Sequence, residues 1–150
     1  MEEIKLNLGC GLRKMDSYVN IDNRESMNPD LCVDVTNGLP FESCTVDEVR
    51  AFDFLEHIQI GKVVPLIEEI YRVLKPGGKF VSLTPSTDGR GAFQDPTHVS
   101  FWNKNSWYYY SADDCRKLYG ITAKFKGTVQ DLKSVDDESI IHTYADLVKD

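Results

Sequence analysis

Hydrophobic residues come first in short runs divided by turn residues. IKLNL at 4–8, YVNID at 18–22, LCVDV at 31–35, VDEVRAF at 46–52 and KFVSLT at 79–84 each predict a strand. Between the fourth and fifth runs the period changes. Val63, Val64, Leu66, Ile67, Ile70, Val73 and Leu74 recur at helical spacing. Pro65 suits only a first turn, so the helix is expected to begin near Val63 or Val64. KPGG at 75–78 should end it. A polar loop with Pro85 and Pro96 fills 85–104, and connections of that length usually carry function. A helix over 111–119, N-capped by Ser111, and an antiparallel edge pair at 121–130 and 139–147 complete the pattern.

Strands alternating with turns and one strong helix predict an α/β fold. The expected architecture is a Rossmann-like, mostly parallel sheet with an antiparallel C-terminal strand pair and reduced helices. The reduction follows from spacing. A parallel crossover needs a dozen or more residues, but only 9–17 and 23–30 separate the first three strands. One sheet face should therefore be thinly covered. Exposed apolar surface tends to be buried by association, which makes a homodimer the expected assembly.

The chain has 150 residues, suited to one domain over 1–150. Its net charge of −7 repels phosphate backbones, so neither nucleic acid nor an anionic membrane is an expected partner. No apolar run approaches the roughly 20 residues of a membrane span. Cys10, Cys32, Cys44 and Cys115 form no C-x-x-C pair and have no His at zinc-ligand spacing. No structural metal is expected. The first residues lack a signal-peptide pattern, and a reduced cytoplasmic protein is expected.

The candidate chemistry lies at the strand ends. Gly9 and Gly11 allow a sharp turn and close approach of a ligand. Asp22 ends the second strand, 11 residues after Gly11, with Asn23 beside it. A carboxylate there can accept from both ribose hydroxyls of a nucleoside, or simply close a turn. Asp34 and Val35 follow the third strand, where side chain or backbone can read an adenine edge. Ala51, Phe52 and Asp53 close the fourth strand at its carboxyl end, where open α/β sheets bind ligands. Glu56 and His57 are candidate bases, against a bland role capping and packing under the site. A dinucleotide fingerprint would need a third glycine where Lys14 stands.

Taken in order, LNLGCG, VNID, DVTNGLPF, DEVRAFDFLEHI and EEIYRVLKPGGKFVSLTP resemble the successive motifs of class I S-adenosylmethionine-dependent methyltransferases, over residues 4–85. The resemblance implies a glycine loop around the methionine moiety (Gly9, Cys10, Gly11), ribose binding by Asp22, and adenine contacts from Asp34 and Val35. It also implies that Ala51 and Phe52 line the methionine side. The chain departs from that family at Asn7, where an acid is common; its neutral amide is still expected to bond the cofactor, complementing the ammonium less well, and the helix after the glycine loop has almost no residues.

The segment 85–110, with DPTHVSFWNKNSWYYY, is the expected acceptor side. His98 can serve as a base near pH 7, oriented by Asp95, or both can brace the loop. Trp102, Trp107 and Tyr108 to Tyr110 can cap the cofactor, stack on a sugar or ring, or plug the loop against the sheet. The leading reading is transfer of a methyl group from S-adenosyl-L-methionine to a small-molecule, glycan or other cell-envelope-type acceptor. A non-catalytic module binding S-adenosylmethionine or S-adenosylhomocysteine is the alternative, and an NAD-linked oxidoreductase ranks lower.

Overall fold

The structure is a computed structural model that describes residues 2–150. Its strands are β1 (Lys5–Leu8), β2 (Val19–Asp22), β3 (Leu31–Cys32), β4 (Val46–Phe52), β5 (Leu74–Pro85), β6 (Phe125–Lys133) and β7 (Ile141–Lys149). They form one sheet in the order β3-β2-β1-β4-β5-β7-β6. The first five are parallel, and β7 runs antiparallel to both β5 and β6. The sequence expectation of a Rossmann-like sheet with an antiparallel C-terminal pair and few helices describes this fold.

The helices are α1 (Ile60–Val73), a single turn α2 (Gly91–Gln94) and α3 (Asp113–Leu118). The apolar stripe of α1 buries Val63, Leu66, Ile67, Ile70 and Val73. These residues share one core with Leu6, Leu8, Ile21, Val49, Ala51, Phe80, Ala145 and Leu147 from one face of the sheet. Trp102, Trp107, Tyr110 and Phe125 belong to the same core. Burying one such aliphatic side chain contributes about 1.5–3 kcal/mol, so this single layer dominates the stability.

The other face is mixed, with a charged end and a row of Phe52, Leu83 and Tyr144 at the carboxyl end of β4. Strand pairing sets Lys5 and Asn7 beside Glu48 and Arg50, with Lys79 and Asp146 further across. These side chains satisfy one another: Tyr18 Oη donates to Glu48 at 2.6 Å, Arg50 lies over the Phe52 ring, and Lys79 pairs with Asp146 at 3.3 Å. Thin coverage of one face was expected. Its charged pairs were not, and they break up the apolar part of this face.

Two asparagines stand in for the first crossover helix. Asn7 Nδ2 donates to Arg13 O at 3.0 Å and to Asn20 Oδ1 at 2.9 Å. Asn20 Oδ1 also accepts from Met15 N–H, while its amide nitrogen reaches Met15 O and Asp30 Oδ2. Backbone groups that a helix would pair internally are thus paired by buried side chains.

Several boundaries differ from expectation. α1 begins at Ile60, so Pro65 lies in its second turn rather than its first. The carbonyl left without a donor belongs to exposed Gly61, which water can reach. Lys75–Gly78 does not close the helix as a loop. It bulges out within β5, between the pairs Val46–Leu74 and Glu48–Lys79. Ser111 does not cap α3; its hydroxyl donates to Trp107 O, and Ala112 holds the cap position. β3 stops at Cys32, and Asp34 instead caps a 3-10 turn over Val35–Asn37. β6 starts at Phe125 rather than 121, because Glu68 of α1 accepts from the Thr122 and Ala123 amides and holds that stretch off the sheet. β7 is displaced likewise, to Ile141–Lys149.

Candidate functional site

β1 runs into a turn whose shape is set from β2. Cys10 N–H donates to Ile21 O at 3.0 Å, and Gly11 N–H donates to Asp22 Oδ2 at 2.9 Å. Gly9 has φ +62°, and a Cβ there would lie 2.2 Å from Phe54 Cδ2. Only glycine lets this turn and the Phe54 ring share the space. The result is a cleft of about 660 Å³ at the carboxyl ends of the parallel strands.

Asp22 is only 6% exposed. Its Oδ1 accepts from the Arg24 amide at 3.0 Å and faces Arg24 Nε at 3.3 Å. Burial pushes this carboxyl up, but the Arg24 and Gly11 amides and the Arg24 guanidinium outweigh it and hold it below the usual range. Across the cleft, Asp34 Oδ1 accepts from Thr36 Oγ1 at 2.6 Å and Thr36 N–H at 2.9 Å, which hold its carboxyl low as well. Asp53 stands at the end of β4 with φ +49°. His142 at 3.6 Å and Arg13 at 3.3 Å hold its carboxyl down against a rise from burial. Three ionised carboxylates thus surround one cavity.

Of the residues read from the sequence, Gly9, Asp22, Asn23, Asp34, Val35 and Asp53 line the cleft. Asn7, Cys10, Gly11, Ala51 and Phe52 stand outside the lining. Asn7 is committed to Arg13 and Asn20, the Gly11 amide to Asp22, and Cys10 and Ala51 are buried. Phe54, Ile58, Lys62 and Thr97 line it without having been singled out. Phe54 follows Asp53 directly and was within reach of the strand-end rule. No sequence signal places Lys62, from α1, or His142, from β7, beside this site.

The far wall joins the LEH turn to the acceptor-side loop. Val99 and Ser100 amides donate to Glu56 O at 2.8 and 3.1 Å. Glu56 is 2% exposed, and burial pushes its carboxyl up to about 8. His57 lines the cleft and meets the His98 ring edge-on, centroids 5.0 Å apart. His98 is half-buried and does not line the cleft; its Nδ1 bonds Ala92 O at 2.9 Å, and its Nε2 faces Asp95 Oδ2 at 3.5 Å. Trp102, Trp107 and Tyr110 are core residues, packed with Phe80. Phe93 and Phe101 are exposed and stack on each other at 5.3 Å.

A glycine turn and strand-end acids around a cleft at the carboxyl edge of a parallel sheet define a Rossmann-like nucleoside-binding domain. More specifically, the chain belongs to the methyltransferase-domain family, which matches residues 6–82, just over half of it. No curated protein matches it in sequence. Its fold is that of an S-adenosylmethionine-dependent methyltransferase from Archaeoglobus fulgidus, at TM-score 0.73 and 14% identity over 99% of this chain and 86% of that one. A Haloferax volcanii methyltransferase solved with its Trm112 activator is similar at TM-score 0.69 and 14% identity, over 99% and 82%. A Burkholderia thailandensis 1,6-didemethyltoxoflavin-N1-methyltransferase, solved with 1,6-didemethyltoxoflavin and S-adenosylhomocysteine, gives TM-score 0.66 and 12% identity over 97% and 70%. The family is the one its motifs resemble, and its cofactor is S-adenosylmethionine. The residues present fit that group: a Cβ-free cradle at Gly9 and buried, ionised Asp22 beside it.

Proposed function

We propose that this chain binds S-adenosylmethionine in the 660 Å³ cleft and transfers its methyl group to a glycan or other ring-bearing small-molecule acceptor presented from the 86–110 segment. Asp22 keeps acceptor capacity for the ribose diol, since a carboxylate offers about four lone-pair sites and only some are used. Asp34 and Val35 read the adenine edge, with Asn23 beside the sugar. Asp53 answers the ammonium charge, the task the family gives to the position of Asn7. The Cys10 and Gly11 backbone shapes the methionine end from behind Gly9, and Ala51 and Phe52 hold the end of β4 in register there.

When bound, the cofactor supplies an electrophilic methyl on a sulfonium. Asp22, Asp34 and Asp53 would hold the cofactor in the cleft, and the acceptor's proton would pass to water or a base. What the chain adds is alignment and exclusion of water. Asp95 and His98 act as positioning residues, holding Thr97 and His57 at the cleft wall. The stacked Phe93 and Phe101 rings offer an apolar platform of the kind that sugar and heteroaromatic rings stack on.

The observation that carries this reading is the pair of ionised carboxylates, Asp22 and Asp34, lining one cleft with the Gly9 turn. Calorimetric titration with S-adenosylmethionine, S-adenosylhomocysteine and NAD tests it. Binding of the first two without NAD is expected, and binding of NAD alone would sink it. A labelled-methyl screen over acceptors then separates an enzyme from a non-catalytic binding module. With an acceptor in hand, His98→Ala is expected to lower turnover about tenfold or more and shift the pH profile, while sparing S-adenosylhomocysteine affinity. Unchanged turnover would leave His98 a purely structural residue.

A further inference from the structure

We infer that Glu56, His57 and His98 form a binding site for a divalent metal ion of the zinc class, with Asp95 as the neighbouring carboxylate. One ligand atom from each of the three lies within 4.8 Å of the others. The site stands at the edge of the cofactor cleft, where His57 and Thr97 reach the lining.

The hydrogen bonds decide which atoms are free. Thr97 Oγ1 donates its only proton to Asp95 Oδ1 at 2.7 Å. It can then only accept from His57 Nδ1, 3.4 Å away, which puts the ring proton there and the lone pair on Nε2. Ala92 O can only accept, so His98 Nδ1 also carries its proton, again leaving the lone pair on Nε2. His57 Nε2 faces Glu56 Oε1 at 4.0 Å, and His98 Nε2 faces Asp95 Oδ2 at 3.5 Å. Glu56 Oε2 is buried and has no hydrogen-bond partner.

With Glu56 ionised, its Oε2 and the two imidazole Nε2 atoms are all acceptors, and among the described residues no donor pairs with Glu56 Oε2. A buried acceptor without a donor, as Glu56 Oε2 is, costs free energy unless a cation or a proton satisfies it. Two imidazoles oriented through Nδ1–H bonds to fixed oxygens, plus a carboxylate, form the donor set of zinc-class ions. The carbonyl and hydroxyl behind each ring are the outer partners such ligands require. A tetrahedral ion holds its donors about 3.4 Å apart, so the side chains need close by only about an ångström. The three ligands come from the LEH turn and the acceptor-side loop, so a bound ion would clasp the two together. The expectation of no metal considered cysteine-centred spacings and could not see this set, since 41 residues separate His57 from His98.

The test is zinc and cobalt(II) binding to the whole chain, followed by calorimetry and by the visible absorption of cobalt(II). It uses a Cys32→Ser, Cys44→Ser, Cys115→Ser background to exclude thiolate sites. One equivalent is expected, with a cobalt spectrum free of thiolate bands and a higher Tm in the presence of zinc. Glu56→Gln and His98→Ala should each weaken binding at least about tenfold, with unchanged circular dichroism. A variant that loses its native spectrum is replaced by His57→Gln at the cleft wall. No stoichiometric uptake by the parent chain would overturn the proposal, leaving protons to satisfy these acceptors. So would uptake that the ligand substitutions do not weaken.

Discussion

Asp22 Oδ2 accepts the Gly11 amide at 2.9 Å, so one carboxylate both shapes the glycine turn and faces the cleft beside it. The strand-end acid is part of the architecture before any ligand arrives. Loss of this side chain should therefore register in two measurements at once.

Asp22→Ala is expected to weaken S-adenosylhomocysteine binding by about 1–3 kcal/mol, the typical range for a charged hydrogen-bond partner. It should also lower the unfolding free energy, because the Gly11 and Arg24 amides lose their acceptor. Calorimetry and urea unfolding read the two effects separately. Unchanged affinity would remove Asp22 from the ribose site.

The two glycines of the turn should not be equivalent. At Gly9 a Cβ meets Phe54 at 2.2 Å and the backbone is left-handed. At Gly11 the backbone is left-handed too, with φ +49°, but the space is open. Gly11→Ala is expected to cost about 1–2 kcal/mol from the backbone alone. Gly9→Ala should cost more, displace Phe54 and reduce cofactor affinity over tenfold. Equal effects in denaturation and titration would contradict the cradle.

Asn20→Ala removes the acceptor of both the Met15 amide and the Asn7 side chain. A loss of about 1–3 kcal/mol is expected, as for other buried groups left unpaired. Asn7→Ala in the same background should add less than it does alone, since the two share one network. Full additivity in a double-mutant cycle would show that they act independently.

Acid should destabilise the fold in a defined window. The Asp22, Asp34 and Asp53 carboxyls are held below their ordinary value in the folded chain. The unfolded chain then binds more protons wherever the two states differ, so stability rises with pH there. That contribution is complete well above about pH 4, the ordinary Asp value, and disappears as pH falls through the lower folded values. Urea unfolding between about pH 6 and pH 2.5 should show this slope, reduced in Asp22→Asn. An identical slope in the variant would rule Asp22 out as a contributor.

Much of this site was legible from local pattern. Gly9, Asp22, Asp34 and Asp53 all sit where a strand gives way to a turn, and strand-end position is written in hydrophobic alternation. Phe54 was one residue from that rule. Asn7 was read at the end of its strand, but the bonds its side chain makes to Arg13 and Asn20 were not. Its partner Asn20 lies on the neighbouring strand, and pairing across strands is invisible in a linear period. Pro65 and Ser111 misplaced two helix starts, because a local rule assigns a carbonyl or a cap that the tertiary surroundings supply otherwise.

The sequence by itself determined the elements, the parallel sheet with its antiparallel edge, and the family of the fold, since periodicity and turn chemistry act over a few residues. Only the tertiary structure decided three other things. It set charged pairs across the thinly covered sheet face. It brought His142 to Asp53 across 89 residues of chain and Glu56 and His57 to His98 across about 40. It also turned Trp102, Trp107 and Tyr110 inward as core and left Phe101, Tyr108 and Tyr109 exposed. Each depends on strand order and register, which set neighbours by hydrogen bonding between distant segments and not by anything within one of them.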